Sequence, residues 1–316
     1  MDFMEIPQES RGQSCGEKRV MNSLNRNNLL RYLNRCRTPE GGYCYFRDPE
    51  SGAGFPNGAD TFWALSAFQF LESDPPFLTR TRRWLRNELD QNVATRTSPY
   101  LFWFLEGLRL SRAPFSLEDR LCLVQETARL LDNRASSSDL PSLLDDLGSV
   151  LSLRRGLHLS LSEKEKGRLK ELLDLESDLP RPFSLPELWT RSVLMEESGG
   201  FSQEKIAKER SRENEYRHPV FGYVILPGSS RSDLFVLRSG LLMRKAPLSL
   251  FEIQLLEDLI LFCQSWKGGF GPVGGAVPTL EATAAALELS VLLSRFPHPK
   301  RGHCDWSDNK LSLLPR

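Results

Sequence analysis

The chain has 316 residues, of which 40% are hydrophobic and 26% charged, the composition of a folded globular protein rather than of a disordered or collagen-like one. Its 41 Lys and Arg residues balance its 41 Asp and Glu residues, so no field of one sign would hold it on nucleic acid or on an anionic membrane. These values argue against polyanion binding as its main role, and we expect no nucleic-acid partner.

The first residues lack the basic-then-apolar pattern of a signal peptide, and no apolar run reaches the roughly 18 residues that span a bilayer. The 6 cysteines form no CxxC pair and no dense framework, as is usual for reduced and packed thiols. We therefore expect a cytoplasmic protein without a transmembrane segment.

Apolar residues recur at helical spacing in segments separated by Pro, Gly and Ser clusters, which predicts a mostly helical chain. Ser116 with Asp119, and Ser249 with Glu252, place a capping hydroxyl before an acid at two helix starts. The predicted helices cover residues 22–36, 58–71, 77–91, 98–111, 116–132, 139–153, 161–175, 184–197, 232–245, 248–266 and 278–295.

Two segments share one template. Cys36–Tyr43 reads CRTPEGGY and Cys263–Phe270 reads CQSWKGGF, and each closes a predicted helix and precedes a loop and then a small, apolar helix. A third copy is predicted at Ser198–Phe201, continuing after a long loop at Ser232–Phe235. The spacing indicates a repeat of one helix pair.

The glycine pair suits the end of a helix, because the first glycine can adopt φ > 0 and the second lets the following aromatic residue turn inward. Each unit would pair an amphipathic outer helix with an almost wholly apolar inner helix. Inner helices of this kind are buried only if the units close around them. We therefore expect residues 36–71 and 263–295 to be neighbours.

The string from Cys263 to Leu287, with its Gly-Gly-Phe-Gly and its Thr-x-Ala-Ala helix start, resembles the repeat of protein prenyltransferase β subunits and of squalene and terpenoid cyclases. Residues 36–71 fit the same repeat, and residues 199–245 fit it loosely. The resemblance implies an all-α fold, an α/α toroid of inner and outer helices with a central cavity for an isoprenoid. For an enzyme it implies prenyl transfer or terpenoid cyclisation.

The repeats imply one domain. Residues 1–20 are expected to form a flexible N-terminal segment and residues 297–316 a C-terminal tail. Residues 21–296 would form the single toroid domain, interrupted by a long loop at 199–231. The charge-rich part of that loop is expected to be solvated or to form a short surface helix.

The metal-binding and catalytic residues of this family are absent from the corresponding positions of the chain. Zinc-dependent prenyltransferases open one inner helix with Asp-x-Cys and carry a His at another, whereas the corresponding positions here lie in Ala59–Thr61, Ser232–Leu234 and Glu281–Thr283. The Asp-x-Asp-Asp of the class II cyclases is absent as well. We expect no zinc and no other cofactor, the remaining risk being a cluster in the tail formed by His298, His303, Cys304 and Asp305.

Asp60 and Asp233 stand at the starts of two predicted inner helices, in what the sequence presents as the same position. Each is either a helix cap, which contributes about 1 kcal/mol, or a catalytic carboxylate at the mouth of the cavity. Beyond these two candidates, the sequence leaves the catalytic residues unknown.

Aromatic residues indicate a ligand site more strongly than these carboxylates do, because aromatic faces suit a polyisoprenoid. Core packing is the alternative role for each of them. Arg47 and Arg231, with Arg238, are candidates for holding a diphosphate. The aromatic candidates, in the first turns of two predicted inner helices, are Phe62, Trp63, Tyr100, Phe102 and Trp103.

The leading hypothesis is a protein that handles an isoprenoid or another apolar small molecule in a central cavity. The alternative is a non-catalytic toroid that binds a protein partner through its rim. A cavity of about 300–1,000 Å³ lined by the aromatic residues would favour the first, and a centre filled by side chains would favour the second.

Overall fold

The computed structural model describes residues 24–46, 54–92, 96–133, 139–177 and 181–296. This part of the chain is mostly helical, as the sequence predicts, and its strands are short. A 3₁₀ turn at Arg212–Tyr216 leads into an antiparallel hairpin of β1 (Arg217–His218) and β2 (Gly222–Tyr223). The α-helices are α1 (Arg26–Arg35), α2 (Gly58–Phe70), α3 (Leu78–Gln91), α4 (Tyr100–Leu110), α5 (Leu117–Asp132), α6 (Leu140–Gly156), α7 (Glu163–Ser177), α8 (Leu185–Ser198), α9 (Gln203–Ser211), α10 (Leu234–Met243), α11 (Leu250–Phe262) and α12 (Leu280–Ser294).

Two kinds of helix alternate along the chain. The even-numbered helices, which we call the core helices, are buried around most of their circumference. The odd-numbered helices, which we call the flanking helices, bury one face and expose the other. None of the described helices combines the length and the apolar character needed to cross a membrane.

The core helices contact one another in chain order, from α2 through α4, α6, α8 and α10 to α12. Helix α12 in turn contacts α2, so the first and last core helices are neighbours. Residues 36–71 and 263–295, which contain these two helices, are therefore in contact, which confirms the expectation from the repeat. Nearly all the buried apolar side chains of the described residues form one connected cluster.

Side-chain caps fix where several helices begin. Ser116 and Ser249 each accept a hydrogen bond from the backbone N–H three residues later and form capping boxes with Asp119 and Glu252, as predicted. Asn57 caps core helix α2 through the same kind of bond, at 2.8 Å. Each such cap contributes about 1 kcal/mol to stability.

The two matching segments form the same turn. The backbone N–H of Cys44 donates to the carbonyl of Cys36 at 2.8 Å, and the N–H of Gly271 donates to the carbonyl of Cys263 at 3.0 Å. In both turns the aromatic residue after the glycine pair is fully buried and donates its N–H to a threonine hydroxyl in the next core helix. The repeat in the sequence is thus a repeat of structure.

The third copy of this turn lies elsewhere than predicted. Gly199 ends core helix α8 with φ of 62°, so it does not follow a flanking helix. The equivalent turn is Tyr216–Tyr223, where the N–H of Val224 donates to the carbonyl of Tyr216 at 2.9 Å. Its sequence, YRHPVFGY, shares the Arg, the Pro, the second Gly and the Tyr of CRTPEGGY, a match that a search for adjacent glycines does not detect.

Residues 199–231 are not one long loop, and of the two predicted alternatives for their charge-rich part the short surface helix is the one observed, as α9. Ser202 caps α9 by accepting from a backbone N–H at 3.2 Å, and Ile206 is buried beneath the helix. Arg191 of α8 forms an ion pair with Glu209 of α9 at 3.1 Å. A charge-rich segment is ordered here because some of its charges pair with the core helix beside it.

In each turn a glycine allows the next flanking helix to approach. A Cβ on Gly42 would lie 3.0 Å from the Trp84 ring of α3, and a Cβ on Gly269 would lie 2.6 Å from the Tyr32 ring of α1. Trp84 and Tyr32 are each the seventh residue of their helix. The last turn therefore packs against the first flanking helix as the first turn packs against α3.

Gly268 has φ of 108°, and a Cβ there would overlap the Asn28 carbonyl of α1. We expect Gly268→Ala to lower the free energy of unfolding by about 3 kcal/mol, because the positive φ costs about 1–2 kcal/mol and overpacking adds about 1–3 kcal/mol. Gly275→Ala is the matched control, since Gly275 has φ of 78° but open space around it, and it should lose about 1 kcal/mol. Urea unfolding measures both, and equal losses would contradict this packing.

Candidate functional site

Four of the predicted aromatic residues meet near the starts of core helices α2 and α4. The ring centroid of Phe62 lies 5.4 Å from that of Phe102 and 5.2 Å from that of Trp103. Trp63 completes the group at 5.7 Å from Trp103. These separations are typical of favourable aromatic pairs. We call these four residues the aromatic cluster.

The members of the aromatic cluster differ in exposure. Phe62 and Phe102 are 0% exposed and Trp63 is 6% exposed, whereas Trp103 is half-buried. Tyr100 is 56% exposed and lies outside the cluster, because it is the first residue of α4 and precedes the buried turn. Core packing accounts for Phe62 and Phe102, and Trp103 is the member that a ligand can reach.

Asp60 is buried beside the aromatic cluster, three residues before Trp63 on the same face of α2. It is not the cap of α2, because Asn57 holds that position. Oδ2 of Asp60 accepts hydrogen bonds from the side-chain amide of Asn57 at 2.8 Å and from the backbone N–H of Tyr45 at 3.3 Å. Burial raises the pKa of Asp60 above its ordinary value, and the two hydrogen bonds offset part of the rise.

Asp233 is the cap of α10, since its Oδ1 accepts from the N–H of Val236 at 2.8 Å. This confirms the capping interpretation of Asp233. It aligns with Asn57 and Thr279, the caps of α2 and α12, so the prediction that it shares a position with Asp60 is wrong. An acidic residue that precedes an apolar run can stand either at the N-cap of a helix or within its first turn. The sequence pattern alone does not distinguish these two positions.

Glu281 lies near these carboxylates, although no pattern in the sequence marks it as a site residue. It is accessible to solvent as the second residue of α12, but surrounding protein atoms displace part of its water and raise its pKa. The charges of Asp60 and Asp233 raise that pKa further, and Arg238 opposes them. The starts of α2, α10 and α12 therefore lie at one end of the molecule. Acids in the first turns of neighbouring core helices are the signal that could have revealed this.

The arginines predicted to hold a diphosphate are not gathered into one site within the described residues. Arg47 lies outside them. Arg231 is exposed in the segment before α10, where its carbonyl accepts from the N–H of Ile225. Arg238 is buried and donates to the two carboxylate oxygens of Glu288 at 2.6 and 3.1 Å, so its charge is already balanced.

In the described part of the chain, no three His, Cys, Asp or Glu side chains are arranged to hold a metal ion. The tail residues that could form such a group, His298, His303, Cys304 and Asp305, lie outside the described residues. The absence of zinc therefore stays a prediction.

Asp60→Asn should increase the free energy of unfolding at pH 7. Because burial raises the pKa of Asp60 in the folded state, its favourable contribution is complete below the ordinary value of 3.8 and is lost as the pH rises through the folded-state pKa. Asparagine imitates the protonated form at every pH, and its one oxygen can accept both hydrogen bonds. The gain should vanish as the pH falls below about 4.

Urea unfolding at several pH values measures this gain, with Asp258→Asn as control because Asp258 is exposed on α11. A variant of Asp60 that is less stable than the wild type at pH 7 would contradict the assignment.

No protein-family model matches this chain, and no curated protein matches it significantly in sequence. The geometry of the aromatic cluster and of the carboxylates beside it is therefore the evidence that bears on function.

Proposed function

We propose that the chain is an α/α toroid that binds an isoprenoid or a similar apolar molecule at the aromatic cluster. The cyclic order of contacts among the core helices supports the toroid. The packing of the last repeat turn against α1 supports it independently, because each turn packs against the flanking helix that follows it.

The observation that carries the binding proposal is the half-buried ring of Trp103 above three buried aromatic side chains. Phe62 and Phe102 hold that ring in place from below, at 5.2 and 4.8 Å between centroids. A rigid aromatic face of this kind offers apolar contact to the double bonds and methyl groups of a prenyl chain. Its support by a packed core means that little conformational entropy is lost on binding.

The charges near the cluster favour a ligand without a diphosphate. Asp60 lies one helical turn from Trp63, and Glu281 lies close enough to Asp60 for their charges to interact. Carboxylates repel a diphosphate, and Arg238 is already paired with Glu288. We propose that the ligand is a neutral prenyl chain, such as an alcohol or a hydrocarbon.

Binding of farnesol and of farnesyl diphosphate, measured by isothermal titration calorimetry, tests the proposal. We expect farnesol to bind at least tenfold more tightly than the diphosphate. Trp103→Ala should weaken farnesol binding at least tenfold, about 1.4 kcal/mol, because it removes the accessible ring.

Phe68→Leu is the matched control for that substitution, because Phe68 is a buried ring of α2 outside the aromatic cluster. It should cost about 1–3 kcal/mol of stability, with farnesol affinity changed less than threefold. The proposal is wrong if the wild type binds no farnesol and organic extracts of the purified protein, analysed by mass spectrometry, contain no prenyl lipid.

A second candidate function, binding of a protein partner, is favoured by the loops that precede α2 and α12. These loops expose large apolar side chains: Phe55 is 83% exposed, Trp266 87% and Val277 71%. Phe55 and Val277 hold equivalent positions, two residues before the caps of α2 and α12. Large apolar side chains that are exposed on equivalent loops are unusual for a folded protein surface and suit an interaction site.

A photo-crosslinking residue at position 266 tests this candidate. We expect one recurrent protein adduct that is lost when Phe55→Ser is added. The same crosslinker at position 117 is the control, because Leu117 is 74% exposed on flanking helix α5. Equal adducts from both positions would contradict a specific partner at these loops.

A further inference from the structure

A cleft separate from the aromatic cluster lies between the β1–β2 hairpin and flanking helix α11. Its volume is about 200 Å³, and its walls are mainly apolar. An apolar cavity of about 150 Å³ is large enough to bind benzene. The residues that define the cleft include Pro219, Tyr223, Leu248, Phe251 and Leu256.

The other two repeat turns show what occupies the equivalent contact. Gly42 faces the Trp84 ring of α3, and Gly269 faces the Tyr32 ring of α1. Gly222 faces Leu256, which is likewise the seventh residue of its flanking helix. The third repeat therefore has a leucine where the other two have a large aromatic ring, and the cleft opens beside that leucine.

A tyrosine with a buried hydroxyl group lines the cleft. Tyr223 is 2% exposed, and its Oη completes no hydrogen bond although the Arg244 guanidinium lies near it. Burial raises the pKa of Tyr223 to about 12, so the hydroxyl keeps its proton at neutral pH. A buried hydroxyl without a partner is unfavourable, and a ligand with a hydrogen-bonding group would satisfy it.

The charged side chains at the cleft are already balanced. Arg244 donates to both carboxylate oxygens of Glu252 at 2.7 and 3.2 Å. Arg217 pairs with Glu213 through a second bidentate contact. The pairs leave no net charge to select an anion or a cation, so the cleft suits a neutral molecule.

We propose that this cleft is a binding site for a neutral aromatic ring that carries one hydrogen-bonding group, of the phenol or indole type. The ring would occupy the space that Trp84 and Tyr32 fill in the other repeats, and its polar group would bond to the Tyr223 hydroxyl. This proposal does not depend on the proposed function, because it concerns a different surface and a different ligand.

Titration of the full chain with indole and with phenol, followed by isothermal titration calorimetry, tests the site. We expect dissociation constants of about 1 mM or tighter. Leu256→Trp introduces the residue of the first repeat and should weaken indole binding at least tenfold without lowering the melting temperature. Leu250→Trp is the matched control, because Leu250 is 46% exposed on the same helix and does not line the cleft; it should leave binding unchanged.

Tyr223→Phe removes the hydroxyl but keeps the ring, and so distinguishes their contributions to binding. It should weaken phenol binding severalfold and leave toluene binding unchanged, because toluene has no hydrogen-bonding group. A wild type that binds neither indole nor phenol would overturn the proposal, unless the Trp306→Ala chain binds them. Equal indole binding by the wild type and by Leu256→Trp would also overturn it.

The Trp306→Ala variant tests whether the ring that binds in the cleft belongs to this chain or to a separate molecule. Trp306 follows the last described residue by 10 positions and supplies an indole within the same chain. Tighter binding of free indole by Trp306→Ala would support the site and show that the chain's own indole competes for it. Unchanged binding would support the site as one for a separate molecule.

Discussion

Helices that are apolar on nearly every side can be buried only by other helices, and the rest of this structure depends on that constraint. Each core helix contacts two others, and the flanking helices cover the remaining sides. Glycine at one position of each repeat turn allows this close coverage, because a Cβ on Gly42, Gly222 or Gly269 would lie 3.0, 2.8 or 2.6 Å from a side chain of the flanking helix that follows. The absence of a side chain at these three positions thus lets each turn pack closely against its flanking helix.

The buried arginines of the core helices form ion pairs with glutamates. Arg238 joins α10 to α12 through Glu288, and Arg191 joins α8 to α7 through Glu176 at 2.8 Å. Removing one partner of such a pair costs about 3–5 kcal/mol, since the other charge stays buried. An arginine held in this way is not available to a phosphate. Asp60 differs, because an amide and a backbone N–H hold it instead of a cation.

The sequence predicted the helical fold and the contact between its first and last repeats, because both follow from periodicity and from a motif of eight residues. It misplaced the third repeat turn, since Tyr216–Tyr223 has phenylalanine in place of the first glycine. The sequence identified Trp63 and Trp103 as candidate site residues but not Glu281. The proximity of Glu281 to Asp60 depends on which helix N-termini lie at the same end of the molecule, and the sequence pattern does not show this. Exposure separates Tyr100 from the cluster, and exposure at a helix start is not encoded by residue type.

Both candidate sites occur where one repeat departs from the others. Three residues after the cap, α2 has Asp60, whereas α10 and α12 have apolar residues at the equivalent position. At the contact between turn and flanking helix, Leu256 stands where the other repeats have Trp84 and Tyr32. Positions that agree among the repeats maintain the packing, because each must satisfy the same contact. A position that departs from the others leaves a charge or a space that the repeat does not use, and a ligand can then use it.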